Sequence, residues 1–350
     1  MKLTSTRTIV AIGALLAATL LFASPRPSAQ AATKRSVTIV AYDSFTPSKA
    51  IFDPFTKKTG ITVKVVTAGD GGALVNKAIL TKGEPLGDVL WGVDNTFLSR
   101  ALKAAIFDPY HSSAPLDAAL RKLVPHDEVT PVDYGDVCVN YDRARTPNPP
   151  TSLEDLAKPV FARQLVVESP ATSSTGLAFM LGTIAHFGES RWRTYWAQLK
   201  TGGVKVVDGW DAAYNTEFSG SGGRGKRALV VSYGSSPPAA VIFGKDPKAK
   251  VSPIGVVAST CFRQVEFAGV LRNSKHTAEA RAVIDYLVGP EFQADLPLSL
   301  FVFPARTGVA WPEAFRRFAI APTTPLRMSP AEIAAGRDRW IDEWSKTVEG

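Results

Sequence analysis

The residues best equipped for chemistry sit in a handful of short turns: Tyr42-Asp43-Ser44-Phe45, Asp70-Gly71-Gly72, Asp94-Asn95, Ser169 to Gly176, Asp208-Gly209-Trp210 and Tyr233 to Pro237. Tyr42, Trp210 and Tyr233 offer aromatic faces, which attract cations and stack on flat heterocycles. Gly71 and Gly72 let backbone N–H groups approach a ligand closely, and a helix start favours an anion. Thr172 and Ser173 stand just ahead of a helix, where hydroxyls and amides can meet a phosphate or an alcohol. Asp70 is suited to balance a cationic ligand. The same turns also read as ordinary helix caps, and the same rings as packing residues. Asp94-Asn95 is read only as a capped turn. What points to binding is the recurrence of such turns along the chain.

Catalytic signatures are missing. The sequence holds no Gly-x-Ser-x-Gly, His-Glu-x-x-His or Gly-x-x-x-x-Gly-Lys-Ser/Thr pattern. Its two cysteines and 4 scattered histidines give no metal-ligand spacing, and no cofactor is expected. Cys138 and Cys261 each fall in a β-like run, and a disulfide and two buried free thiols both fit that placement.

These turns must be positioned by alternating strands and helices. Ser36–Tyr42, Ile61–Val66 and Asp88–Gly92 read as strands, separated by helices at 48–58 and 73–81. A second series begins near Val137, with strands at 164–168, 204–207 and 227–232 and helices at 176–187 and 189–199. Amphipathic helices follow at 276–288 and 330–347. Such βαβ alternation builds mostly parallel sheets, and ligands in them sit beyond the carboxyl ends of the strands. The predicted class is α/β with two lobes, residues 32–135 plus 264–350 and residues 136–263, joined by crossing strands at about 134–141 and 262–270. The glycine-rich run Ser219 to Gly225 reads as a surface loop.

The N-terminus reads as an export signal. Lys2 and Arg7 precede an apolar run from Ile9 to Phe22, and Ala29-Gln30-Ala31 is a small-x-small cleavage site. The run is shorter than the ~20 residues that cross a membrane. Cleavage near Ala31 removes Lys2, Arg7 and Arg26 and no acid, so the formal charge falls from +8 to +5. That charge is dispersed, with no basic patch of the kind that nucleic acid requires. The expected location is periplasmic or secreted.

Several local patterns occur in order: Tyr42-Asp-Ser-Phe45, Asp70-Gly71 with Leu74-Val-Asn76, Gly92-Val-Asp-Asn95, Val132-Asp-Tyr-Gly135, Asn148-Pro-Pro150, Gly209-Trp210 with Ala213-Tyr214, Ser232-Tyr233 with Ser236-Pro237, Gln264-Val-Glu266 and Trp340 to Trp344. In these the chain resembles the thiamine-binding periplasmic proteins of bacterial ABC importers, within the group that shares the type II periplasmic binding fold. The resemblance implies a hinged, monomeric receptor that closes on thiamine, thiamine monophosphate or thiamine diphosphate and hands it to the importer's membrane subunits. Carried over by position, Tyr42, Asp70, Gly71, Ser173, Trp210 and Tyr233 match ligand-contacting positions, and Phe301 stands where the family has a late tryptophan. Thr46 to Lys49 and Pro238-Ala239 replace two further aromatic positions, so the aromatic enclosure is thinner than the family's. The other transport readings are ferric iron, a polyamine or a phosphonate. Iron requires adjacent tyrosines, and Tyr134 and Tyr141 lie a strand's length apart. An exported enzyme is the reading of a different class.

Overall fold

The computed structural model describes residues 35–220, 222 and 224–350. The expected signal segment and its cleavage site lie outside the described residues. Ten strands form one sheet: β1 (Arg35–Ala41), β2 (Ile61–Thr67), β3 (Val89–Asp94), β4 (Phe107–Asp108), β5 (Thr130–Asp142), β6 (Leu165–Glu168), β7 (Lys205–Val207), β8 (Leu229–Tyr233), β9 (Ile254–Leu271) and β10 (Phe303–Pro304). Their order is β2-β1-β3-β9-β5-β8-β6-β7, with β4 on β9 and β10 on β5.

Two parallel-stranded sides flank a long antiparallel pair. β1 runs parallel to β2 and β3 on one side, and β6 runs parallel to β7 and β8 on the other. β5 and β9 cross between them, pairing with each other from Thr130↔Ala268 to Asp142↔Ile254. Both crossing strands are longer than the sequence suggests, because their mutual register continues beyond the apolar runs that mark their centres. Every residue of β3 is buried, as expected of a strand covered on both faces.

Helix boundaries follow local chemistry. The helix expected at 48–58 begins only at Asp53, next to a proline in its first turn, and stops where Gly60 takes φ 71°. The next helix, Gly71–Leu80, starts under the Asp70 cap. The long helix Ser174–Phe187 is capped by the Ser173 hydroxyl and buries eleven of its residues, Ser174 through Ile184. The closing helix Pro330–Val348 carries a capping box between Ser329 and Glu332. It packs on both sides of the sheet: Trp344 meets Trp196 edge-on at 5.4 Å, and Arg337 bonds Ser99 at 3.0 Å.

Cys138 on β5 and Cys261 on β9 are joined in a disulfide across the crossing strands. Nearby, Arg263 grips Asp136 with Nε and Nη2 at 2.7 and 3.2 Å.

Candidate functional site

The turns picked out in the sequence converge on a cavity of about 1270 Å³. Tyr42, Asp70, Trp210, Tyr233 and Phe301 line it, together with Glu266, Tyr214 and Ser236. Tyr42 follows β1, Trp210 follows β7 and Tyr233 ends β8, so these rings project from the carboxyl ends of parallel strands. Each ring is held. The Tyr42 ring lies against Gly92, whose φ of 96° and lack of a Cβ permit that approach. Its hydroxyl donates to Glu266 Oε2 at 3.1 Å. The Trp210 indole stacks on Tyr214 at 4.9 Å and donates from Nε1 to Ser232 Oγ at 2.9 Å. Tyr233 rests near Gly135, and its carbonyl accepts from Asn140 Nδ2 at 3.0 Å.

Asp70 lines the cavity, but its oxygens are already engaged. Oδ1 accepts from Gly71 N at 2.5 Å; Oδ2 accepts from Trp210 N at 2.8 Å and from Ser173 Oγ at 3.3 Å. The carboxylate therefore ties the β1–β3 side to the β6–β8 side. Burial raises its pKa, and the Trp210 and Gly71 amides oppose that rise.

Gly71, Thr172 and Ser173, expected to contact the ligand, are not among the lining residues. A Cβ on Gly71 would strike Ser174, so this glycine serves the contact between the two sides. The Thr172 hydroxyl donates to the Asp208 carbonyl at 2.6 Å, and its own carbonyl accepts from Ala73 N at 3.1 Å. The Ser173 hydroxyl is spent on Asp70, Thr175 and its own helix. Ser174 and Thr175, one residue further into the helix, do face the cavity.

Phe301 stands at the rim with φ 56°, the left-handed region, and meets the exposed Phe243 edge-on at 5.9 Å. The glycine-rich run is more than a surface loop, since Ser219, Gly220 and Gly222 line the wall. Tyr134 and Tyr141 do not line the cavity: Tyr134 stacks on Phe303 at 5.2 Å, and Tyr141 accepts from Arg143 at 3.0 Å.

Glu266 is the lining residue that sequence reasoning passed over. It is 4% exposed, and a carboxylate there costs several kcal/mol unless it is neutralised or paired. Burial, and then the charges of Asp133 and Asp94, push its pKa well above the usual range. The signal was present in the sequence. An acid inside the run Gln264-Val-Glu-Phe-Ala-Gly-Val-Leu271 is out of place in a buried strand. The Tyr42 and Tyr233 phenols are also pushed up, by burial first and then by Glu266.

A family model described as bacterial extracellular solute-binding protein matches residues 84–318. The thiamine-binding periplasmic protein of Salmonella typhimurium is 30% identical over 329 residues, which is 92% of this chain and 96% of that protein. The corresponding protein of Brucella suis is 30% identical over 328 residues, 91% of this chain and 93% of its own length. A solved periplasmic thiamin binding protein superposes with a TM-score of 0.80 at 28% identity, covering 90% of this chain and 96% of that one. The resemblance read from the sequence is borne out, and so is the α/β, two-lobe type II periplasmic binding fold joined by two hinge strands. The chain belongs to the bacterial extracellular solute-binding protein family.

Proposed function

We propose that this chain captures thiamine in the cavity between its lobes and delivers it to an ABC importer. The observation that carries the reading is the meeting of three aromatic side chains, Tyr42, Trp210 and Tyr233, and one buried carboxylate, Glu266, around a single cavity of about 1270 Å³. A flat heteroaromatic cation is matched by ring faces and a counter-charge. The names of the relatives point to the same ligand. The phosphate esters of thiamine fall within the same reading, with Ser174, Thr175 and Ser236 as hydroxyls near the ester end.

The lobes are residues 32–135 plus 264–350 and residues 136–263, closing about β5 and β9. Asp70, Gly71, Thr172 and Ser173 act at the contact between the lobes, and the rings and Phe301 act on the ligand. The protein is exported to the periplasm after cleavage near Ala31 and works there as a monomer. It is a carrier and not a catalyst. None of the 4 histidines lines the cavity, so its serine and threonine hydroxyls have no imidazole base.

Fluorescence titration tests the reading, because Trp210 stands in the wall. Saturable quenching by thiamine, thiamine monophosphate or thiamine diphosphate is expected, with a matching heat in calorimetry. Absence of saturable binding for all three refutes it.

A further inference from the structure

Three acids stand in a row behind the cavity. In the register of β3, β9 and β5, Asp94 pairs with Glu266, and Glu266 pairs with Asp133. Register shifts lie beside the row on both strand pairs, between Trp91 and Val93 and between Pro131 and Asp133. Such bulges re-aim side chains. All three carboxyls are buried, Asp133 completely. Like charges directly opposite one another destabilise a sheet. No structural need of the strands explains this row.

The three acids are treated differently by their surroundings. Asp94 accepts four hydrogen bonds, from Thr96 N at 3.2 Å, Thr96 Oγ1 at 2.7 Å, Phe97 N at 3.1 Å and Gln264 Nε2 at 2.5 Å. Glu266 accepts from Tyr42 and faces the cavity. Neither oxygen of Asp133 has a donor among the described residues, and the group beside it is the Glu266 carboxyl. Three residues along β5, Asp136 has the Arg263 guanidinium. The fold thus supplies a cation to one buried acid of this strand and withholds it from its neighbour. The groups that face the pair from other elements are Tyr42 beyond β1, Asp94 on β3 and Tyr233 on β8, all acids or phenols. Lys245, the one basic residue among the described lining residues, is exposed. Among the described residues no group of three His, Cys, Asp or Glu is placed to hold a metal ion, so the row does not read as a metal site.

Two carboxyls so placed share a proton. Burial pushes Asp133 up to about 8, and Glu266 also moves well upward. Resting on the thiamine reading, we propose that Glu266 is the counter-charge for the ligand's cationic ring and Asp133 is the positioning residue that keeps a proton beside it until the ligand arrives. The ligand enters in exchange for that proton. The pair loses one proton to solvent as the site gains one positive charge, so the net charge of the buried cluster does not change. Without ligand the pair avoids two adjacent charges; with ligand both carboxyls are ionised and the ligand's cation offsets the added charge. A cation releases the proton; a neutral ligand of the same shape does not.

Calorimetry of the full-length mature protein with thiamine tests this directly. Titrations at pH 7 in phosphate, HEPES and Tris differ in buffer ionisation enthalpy, and the slope of apparent heat against that enthalpy counts protons. The expected result is release of about half to one proton per thiamine, with affinity rising up to about tenfold per pH unit between pH 6 and 8 and flattening above. The D133N variant, whose amide can donate to Glu266, is expected to bind thiamine with a flat pH profile and under about one-fifth of a proton released. A neutral thiophene-ring isostere of thiamine is expected to bind wild type without proton release. Saturable thiamine binding with no buffer dependence overturns this inference alone, and so does D133N that releases protons as wild type does. Failure of wild type to bind thiamine at all overturns the thiamine reading and this inference with it. The wild-type slope needs no variant, so a D133N chain that fails to fold leaves the test intact.

Discussion

Asp70 offers the sharpest test of how the site is held together. Its Oδ1 caps the helix Gly71–Leu80, and its Oδ2 accepts from Trp210 N at 2.8 Å and Ser173 Oγ at 3.3 Å across the contact between the lobes. A hydrogen bond to a charged group contributes about 1.5–3 kcal/mol, and the longer Ser173 contact falls at the weak end. Loss of the carboxylate therefore weakens the arrangement that surrounds the ligand by about 2 kcal/mol, or about 30-fold in its population. If that arrangement is the one that binds, affinity falls by the same factor. The D70A variant also loses the helix cap, about 1 kcal/mol of global stability. The D70N variant separates the two effects. Its carbonyl can still cap Gly71, but its amide nitrogen then meets the Trp210 N–H donor against donor. The expected outcome is about 30-fold weaker thiamine binding for both variants in fluorescence titration, with a lowered Tm for D70A only. D70N that binds within twofold of wild type would refute the role assigned to this residue.

Three further outcomes follow from particular contacts. Gly92→Ala places a Cβ against the Tyr42 ring at φ 96°, so it should lower Tm and thiamine affinity together; an unchanged titration would contradict the packing described. Replacing Cys138 and Cys261 with serine opens a loop of sequence separation 123, and chain entropy assigns such a closure about 5 kcal/mol, measured as a shift in the denaturant midpoint. The third concerns pH and the ligand-free protein. Burial raises Asp133 to about 8 in the folded state, against ~3.9 for an unfolded aspartate, so the folded state holds the extra proton. Its contribution to stability is fully present below about pH 4, is lost as pH rises towards 8, and changes no further above that. Denaturant midpoints measured from pH 5 to 8.5 should fall less steeply in D133N than in wild type.

Much of the fold was legible because it rests on patterns that sequence displays. The β-branched run at β1, the Gly60 stop and the apolar β3 each record a local preference in residue type. The rings of Tyr42, Trp210 and Tyr233 were legible for the same reason, since strand-end turns are where such sites form. Thr172 and Ser173 stand just before the residues that line the cavity, Ser174 and Thr175. A residue ahead of a helix presents the same chemistry whether its hydroxyl meets a ligand or other protein groups, and only the positions of Asp70 across the cleft and Asp208 in the same lobe show which. Glu266 was visible as an acid in an apolar run, but its partner was not. Its meaning comes from register with Asp133, more than 130 positions away in the chain. Both acids stand in quoted patterns, Val132-Asp-Tyr-Gly135 and Gln264-Val-Glu266, but neither pattern displays the pairing.

The placement of these two acids bears on how closure and capture are linked. The Trp210 and Tyr233 rings come from the β6–β8 side, whereas Tyr42 is bonded to Glu266 itself. Glu266 and Asp133 lie on β9 and β5, the strands about which the lobes turn. Just along those strands the Cys138–Cys261 disulfide and the Arg263–Asp136 pair fasten them to one another. A hinge fastened in this way resists separation of its strands more than rotation about them. The carboxyl pair and the Tyr42 ring bonded to it are therefore held on fastened strands. The Trp210–Asp70 bond joins the two sides across the site, so a ligand that satisfies Glu266 but is too bulky for the rings is expected to bind without that bond.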